Sequence, residues 1–167
     1  MDATNQYALE LSAELGRLLR ERAWNCSIAE SCTGGLIGSW ITSLAGSSDY
    51  FLGGVIAYSN GAKNALLGVS QSTLDEVGAV SSECSLEMAQ GVRKAFDAQL
   101  GISSTGIAGP GGATARKPVG LIYIAVATPE RSEVRELRLD GDRLQNIHAS
   151  AVAALELALD LARSPSR

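Results

Sequence analysis

Short apolar runs that pass straight into glycines, with amphipathic segments of helix length between them, constrain this chain more than any other feature. Trp24 to Ala29 reads as a strand that enters Glu30-Ser31-Cys32-Thr33-Gly34-Gly35. "YFLGGVIAYS" at 50–59 is β-branched and aromatic, and reads as a strand bent at its paired glycines. "LGISSTGIAG" at 100–109 reads as a strand running into Pro110-Gly111-Gly112. Between these runs the period changes to that of a helix. In 3–22, Tyr7, Leu11, Leu15, Leu18 and Leu19 share one face. Helices are also expected over 34–44, 60–67 and 71–77. A Ser-capped helix within 81–100 carries Cys84, Met88, Val92, Ala95 and Phe96 on one side. "VGLIYIAVAT" at 119–128 is a strand, and "SEVRELRLD" at 132–140 alternates charged and apolar residues as an edge strand does. These two adjacent strands should form a hairpin. A last helix runs from Asp142 to about Ala162, with Leu144, Ile147, Ala151, Leu155 and Ala158 as its apolar stripe. The tail, "SPSR", reads as frayed. Strands alternating with helices and then a hairpin predict an α/β fold: a three-layer α/β/α single domain over 1–167 with a mixed β-sheet.

At 167 residues and 46% hydrophobic, the chain can bury one sizeable core, and a second would be cramped. A net charge of −4 gives no basic face, which disfavours nucleic acid as a partner. The first 22 residues lack an apolar segment behind a basic start, and the longest apolar stretch, 119–127, is too short to span a bilayer. The expectation is a cytoplasmic protein with no membrane partner. Three cysteines and no CxxC argue against a disulfide framework or a cysteine zinc site. Cys26 and Cys84 read as small core residues; Cys32, beside Ser31, stays open as core or chemistry.

Two of the glycine-rich junctions follow strands, where ligands of open α/β sheets bind. Glycines let backbone N–H groups approach a phosphate, and they also simply make tight turns. Neither junction is a GxxxxGK[ST] or a complete GxGxxG fingerprint. A hydroxyl at Ser31 or Thr33 would either cap the following helix or sit beside its free N–H groups as a nucleophile. His148 is the only histidine and falls in the last helix, so a Ser–His–Asp triad is disfavoured. A serine activated without histidine would use a lysine. Lys63, just past "AYSNGAK", is the best placed, since a lysine desolvated at a cleft becomes a base. Lys94 belongs to a wet helix face, and Lys117 to the "ARKPVG" loop. Tyr58 could orient that base or be a core tyrosine with a wet hydroxyl. Asn60 could serve a ligand or a turn. Arg143 could clamp a phosphate or stand on the surface.

The runs "AESCTGG", "FLGGVIAYSNGAKNALLGV", "GAVSSE", "STGIAGPGG" and "KPVGLIYIAVA" together resemble the CinA C-terminal domain family over residues 7–163. Members include stand-alone nicotinamide mononucleotide amidohydrolases, and many relatives carry a further N-terminal domain. The resemblance implies an α/β/α fold. It also implies hydrolysis of nicotinamide mononucleotide to nicotinic acid mononucleotide and ammonia, in bacterial pyridine-nucleotide recycling, with no cofactor and no metal. It places the nucleophile at Ser31, with Lys63 as base and Tyr58 positioning the pair. Oxyanion donors are expected from the backbone around Cys32 to Gly34. Substrate contacts are expected from Glu30, Cys32, Thr33, Gly34, Gly35, Asn60, Thr105, Gly106, Gly109 and Arg143, with the 105–112 loop and Arg143 on ribose or phosphate. Two positions depart from the common pattern: Gly61 replaces an acidic residue, and Ala113 separates the glycines from Thr114. Other members are named only from competence-linked operons, so a non-catalytic nucleotide-binding or regulatory module is the alternative. A homo-oligomer is compatible with either.

Overall fold

The computed structural model describes residues 3–163; the tail at 164–167 lies outside them. The elements run in the order α1 (Ala3–Glu21), β1 (Cys26–Glu30), α2 (Leu36–Thr42), β2 (Phe51–Ile56), α3 (Asn60–Leu67), α4 (Gln71–Glu76), α5 (Ser82–Ala95), β3 (Leu100–Gly106), β4 (Leu121–Ala127), β5 (Ser132–Arg138) and α6 (Arg143–Arg163). One sheet has the order β2-β1-β3-β4-β5. β2, β1 and β3 are parallel, and β4 and β5 are antiparallel to their neighbours. The expected mixed sheet and closing hairpin are therefore present.

Alternation along the strands sorts side chains by size. Ile28, Ile102, Ile122, Ile124 and Val126 point to a core shared with α1, α2 and α6. Small residues point the other way. Ala125 and Ala127 pack against Ala89 of α5. A Cβ built on Gly101 would lie 2.1 Å from the Ala89 carbonyl oxygen, so only glycine lets α5 approach this closely. A second core joins Cys84, Met88 and Val92 of α5 to Leu67 and Leu74. Helices thus cover both faces, as a parallel sheet requires.

Several boundaries differ from the sequence reading. The helix expected at 34–44 starts at Leu36, because Gly34 and Gly35 adopt φ of 61° and 103° and complete a turn first. β2 carries a bulge: Cys26 pairs with Phe51 and Ser27 with Gly53, skipping Leu52, and Gly53 takes φ 134°. β3 stops at Gly106, three residues short of the expected end. Leu144 is 67% exposed, because the first turn of α6 stands at the sheet rim rather than over the core, and Ile147 is half-buried. Tyr7 is likewise on the surface, its hydroxyl donating to Glu156.

What positions the site is register. Glu30 pairs with both Ile56 and Ser104, so the parallel pairing of the three strands ends in one row, while β3 runs on to Gly106 beside β4. Ser31, Ala57 and Thr105 are each one residue past that row.

Candidate active site

Two bonds carry the row one step beyond the sheet: Ser31 N–H donates to the Ser104 carbonyl at 3.0 Å, and Ala57 N–H to the Glu30 carbonyl at 2.8 Å. From Ser31 the chain turns sharply, Gly34 N–H closing on the Ser31 carbonyl at 3.1 Å with Gly34 left-handed. Past β2, Ser59 caps α3, its Oγ accepting from Ala62 N–H at 3.1 Å. The helix therefore starts almost where the strand ends, and its first turn brings Lys63 back toward β1.

Lys63 Nζ donates to Ser31 Oγ at 2.9 Å and to the Ala57 carbonyl at 2.8 Å. Lys63 is 2% exposed and Ser31 8%. No carboxylate lies within ion-pair distance of Lys63 among the described residues. Burial without a counter-ion pushes the lysine pKa below its ordinary value, opposed only weakly by the Cys84 and Cys32 thiols nearby. This is the physical state of a lysine that can act as a base.

The other polar groups of the turn are committed elsewhere. Glu30, 0% exposed, was expected to touch substrate. Instead its carboxylate accepts from the N–H groups of Gly35, Ile37 and Gly38 at 3.0, 3.2 and 2.9 Å. The N-terminus of α2 is filled by the protein's own anion, so neither Ser31 nor Thr33 caps it. Thr33 Oγ1 meets Ser104 Oγ at 2.6 Å in the interior. Thr33, Gly34 and Gly35 consequently do not line the cavity. The Gly34 amide, spent on Ser31, leaves the set of oxyanion donors. Neither the Cys32 nor the Thr33 amide donates to a backbone carbonyl among the described residues.

Cys32 does line the cavity, but burial raises its thiol to about 12. The other two cysteines are buried, as expected, and all three are free thiols.

Ser31 and Lys63 stand at one end of an open cavity of about 230 Å³. Thr105, Gly106 and the 107–112 segment form one wall; Asn60, Tyr58 and Arg143 form the mouth. Thr105 Oγ1 donates to the Ala79 carbonyl at 2.8 Å, which fixes the Ala79–Val80 segment as a further wall. Tyr58 does not position the Ser31–Lys63 pair. It is 61% exposed, and its hydroxyl accepts from Arg143 Nη2 at 3.0 Å. Arg143 Nη1 donates to the Gly109 carbonyl at 2.7 Å. The holder of Lys63 is the Ala57 carbonyl, which side-chain reasoning could not find. Lys117 ties to the Val77 carbonyl. His148 packs on Trp40 with ring centroids 5.8 Å apart and does not line the cavity. Among the described residues, no cluster of His, Cys, Asp or Glu could hold a metal, and no helix is long and apolar enough to cross a membrane.

An α/β/α domain with a serine–lysine pair at the carboxyl ends of its parallel strands is the class that fold and site define. Residues 8–162 match the CinA C-terminal domain family, and the chain belongs to it. It is 52% identical over 149 residues to a "CinA-like protein" of Gloeothece citriformis, covering 87% of this chain and 36% of that protein. It is 52% identical over 138 residues to a "putative competence-damage inducible protein" of Halothermothrix orenii, covering 81% and 33%. The chain thus spans about a third of the length of these curated relatives. Among solved structures, the competence/damage-inducible protein CihA of Agrobacterium tumefaciens superposes with a TM-score of 0.90 at 38% identity, covering 93% of this chain and 95% of that one. The competence damage-inducible protein A of Klebsiella pneumoniae also gives 0.90, at 31% identity, covering 95% and 99%.

Proposed function

We propose that this domain is an amidohydrolase converting nicotinamide mononucleotide and water to nicotinic acid mononucleotide and ammonia. The observation that carries the reading is the 2.9 Å contact between Ser31 Oγ and a buried lysine with no counter-ion. In its neutral form Lys63 accepts the Ser31 proton as Oγ attacks the carboxamide carbon. The resulting oxyanion is met by the Cys32 amide, on the part of the turn that lines the cavity. Lys63 then delivers the proton to the departing ammonia, leaving an acyl-serine. Water, deprotonated by the same lysine, attacks the ester; the carboxylate leaves and Oγ recovers its proton. The geometry favours serine over Cys32, because Lys63 bonds Ser31 Oγ, while burial pushes the Cys32 thiol up toward its protonated form. Arg143 and the 105–112 wall take the ribose and phosphate. Two of the five guanidinium N–H groups serve Gly109 and Tyr58, which leaves donors for an anion.

The test is to incubate the purified protein with nicotinamide mononucleotide, without added metal, and measure ammonia and nicotinic acid mononucleotide together. One-for-one release, abolished in Ser31→Ala, is expected. Tight nucleotide binding with no product from folded wild-type protein would replace this reading with a binding module. Turnover retained in Ser31→Ala would move the attack to Cys32 or to water.

A further inference from the structure

Asn146 lies on the buried side of α6, 1% exposed. Its Nδ2 donates to the Ala108 carbonyl at 3.1 Å and to the Gly141 carbonyl at 2.9 Å, while Oδ1 accepts from Gly141 N–H at 3.1 Å. A buried amide is costly unless paired, and this one is spent wholly on joining two segments. Ala108 belongs to the cavity wall. Gly141 lies two residues before Arg143, whose guanidinium bonds the next wall carbonyl, Gly109. The same two segments are therefore stapled twice, once from the interior and once at the surface. Arg143 is long and exposed, so its reach depends on where its own backbone and the Gly109 carbonyl are held. The Asp142–Gln145 pair, bonded reciprocally at 2.9 and 2.8 Å, fixes the helix start but does not touch the wall. Among the described residues, Asn146 is the buried side chain bonded to both.

We propose that Asn146 is a positioning residue that sets selectivity for phosphorylated over unphosphorylated amide substrates, by holding Arg143 and the 108–112 wall in one register. This rests on Arg143 as the phosphate-facing group. The probes are nicotinamide mononucleotide and its dephosphorylated riboside, each titrated by calorimetry into Ser31→Ala protein with and without Asn146→Ala. Affinity for the nucleotide should fall about tenfold, the scale of one displaced charge-assisted hydrogen bond. Affinity for the riboside should stay within about twofold, the scale left to surface changes. In an Arg143→Gln background, Asn146→Ala should cost nothing further. Equal weakening of both probes, or additive losses with Arg143→Gln, overturns the proposal. If Asn146→Ala does not fold, Asn146→Ser is read on the same two probes. Wild-type turnover, measured in parallel, separates the two readings. No ammonia with phosphate-dependent binding intact removes the amidase and leaves the positioning role. Ammonia release with equal affinity for both probes removes the positioning role and leaves the amidase. Binding of neither probe, with no ammonia released by the wild type, removes both.

Discussion

The two ends of the cavity are built on opposite plans. At the inner end, Ser31 and Lys63 are both under 10% exposed, and the turn that carries Ser31 is locked by the buried Glu30 carboxylate and by Ser104. At the mouth, Tyr58 is 61% exposed and Arg143 is a surface side chain resting on one carbonyl and one hydroxyl. Bond making needs groups held to fractions of an ångström in a desolvated place. Seizing a soluble anion needs reach and access to water. Under the proposed function the fold meets both demands, with the serine–lysine pair held just past the sheet and the anion-facing arginine on a helix start beside a loop.

The largest expected effect is at the inner end. Lys63→Ala should lower kcat by about 10³-fold or more, with KM nearly unchanged, because it removes the base and not a binding group. The wild-type pH profile sharpens this. Burial lowers the Lys63 pKa, so kcat should rise with pH to an inflection below the ordinary lysine value of about 10.4. Stability carries the same sign. Between the folded and unfolded pKa values the unfolded chain binds more protons, so unfolding free energy rises with pH across that window, and Lys63→Met should remove the slope. Next is Glu30→Ala, which leaves the buried Ile37 and Gly38 N–H groups and the half-buried Gly35 N–H without their acceptor. It should cost about 3 kcal/mol or more in chemical denaturation and abolish turnover together with the Ser31 turn. Arg143→Gln should act differently, raising KM about tenfold while kcat stays within about twofold. Smallest is Tyr58→Phe, which loses one solvent-exposed bond to Arg143 and should change kcat/KM by less than about threefold. A 10³-fold loss in kcat from Tyr58→Phe would break the division between the two ends.

Legibility in the sequence followed the same division. Strands, glycine junctions and the hairpin were readable because period and turn chemistry are local. Ser31 and Lys63 could be nominated because each follows a strand end and each has a side chain with only a few chemical uses in a cleft. Glu30 was misread, since a carboxylate beside a reactive serine looks like substrate chemistry until the turn at Gly34 and Gly35 folds α2 back over it. Tyr58 was misread because its partner is 85 positions away. Asn146, 38 positions from Ala108, was missed, although an asparagine on the buried side of α6 was a visible signal. The Ala57 carbonyl leaves no trace in the side-chain alphabet. Ser103, Ser104 and Thr105, three hydroxyls in a fully buried run of β3, were also a signal. Ser103 Oγ donates to the Ser85 carbonyl, so each of the three has an interior partner.

The thiol beside Ser31 has a consequence for how this protein meets chemical stress. Alkylating agents and peroxides attack thiolates, and Cys32, beside Ser31, is pushed by burial toward the unreactive protonated form. Cys26 and Cys84 are shielded in the same way, their pKa values raised to about 12 and about 11 by burial. With all three thiols buried and pushed toward the protonated form, iodoacetamide should leave the native protein unlabelled at neutral pH.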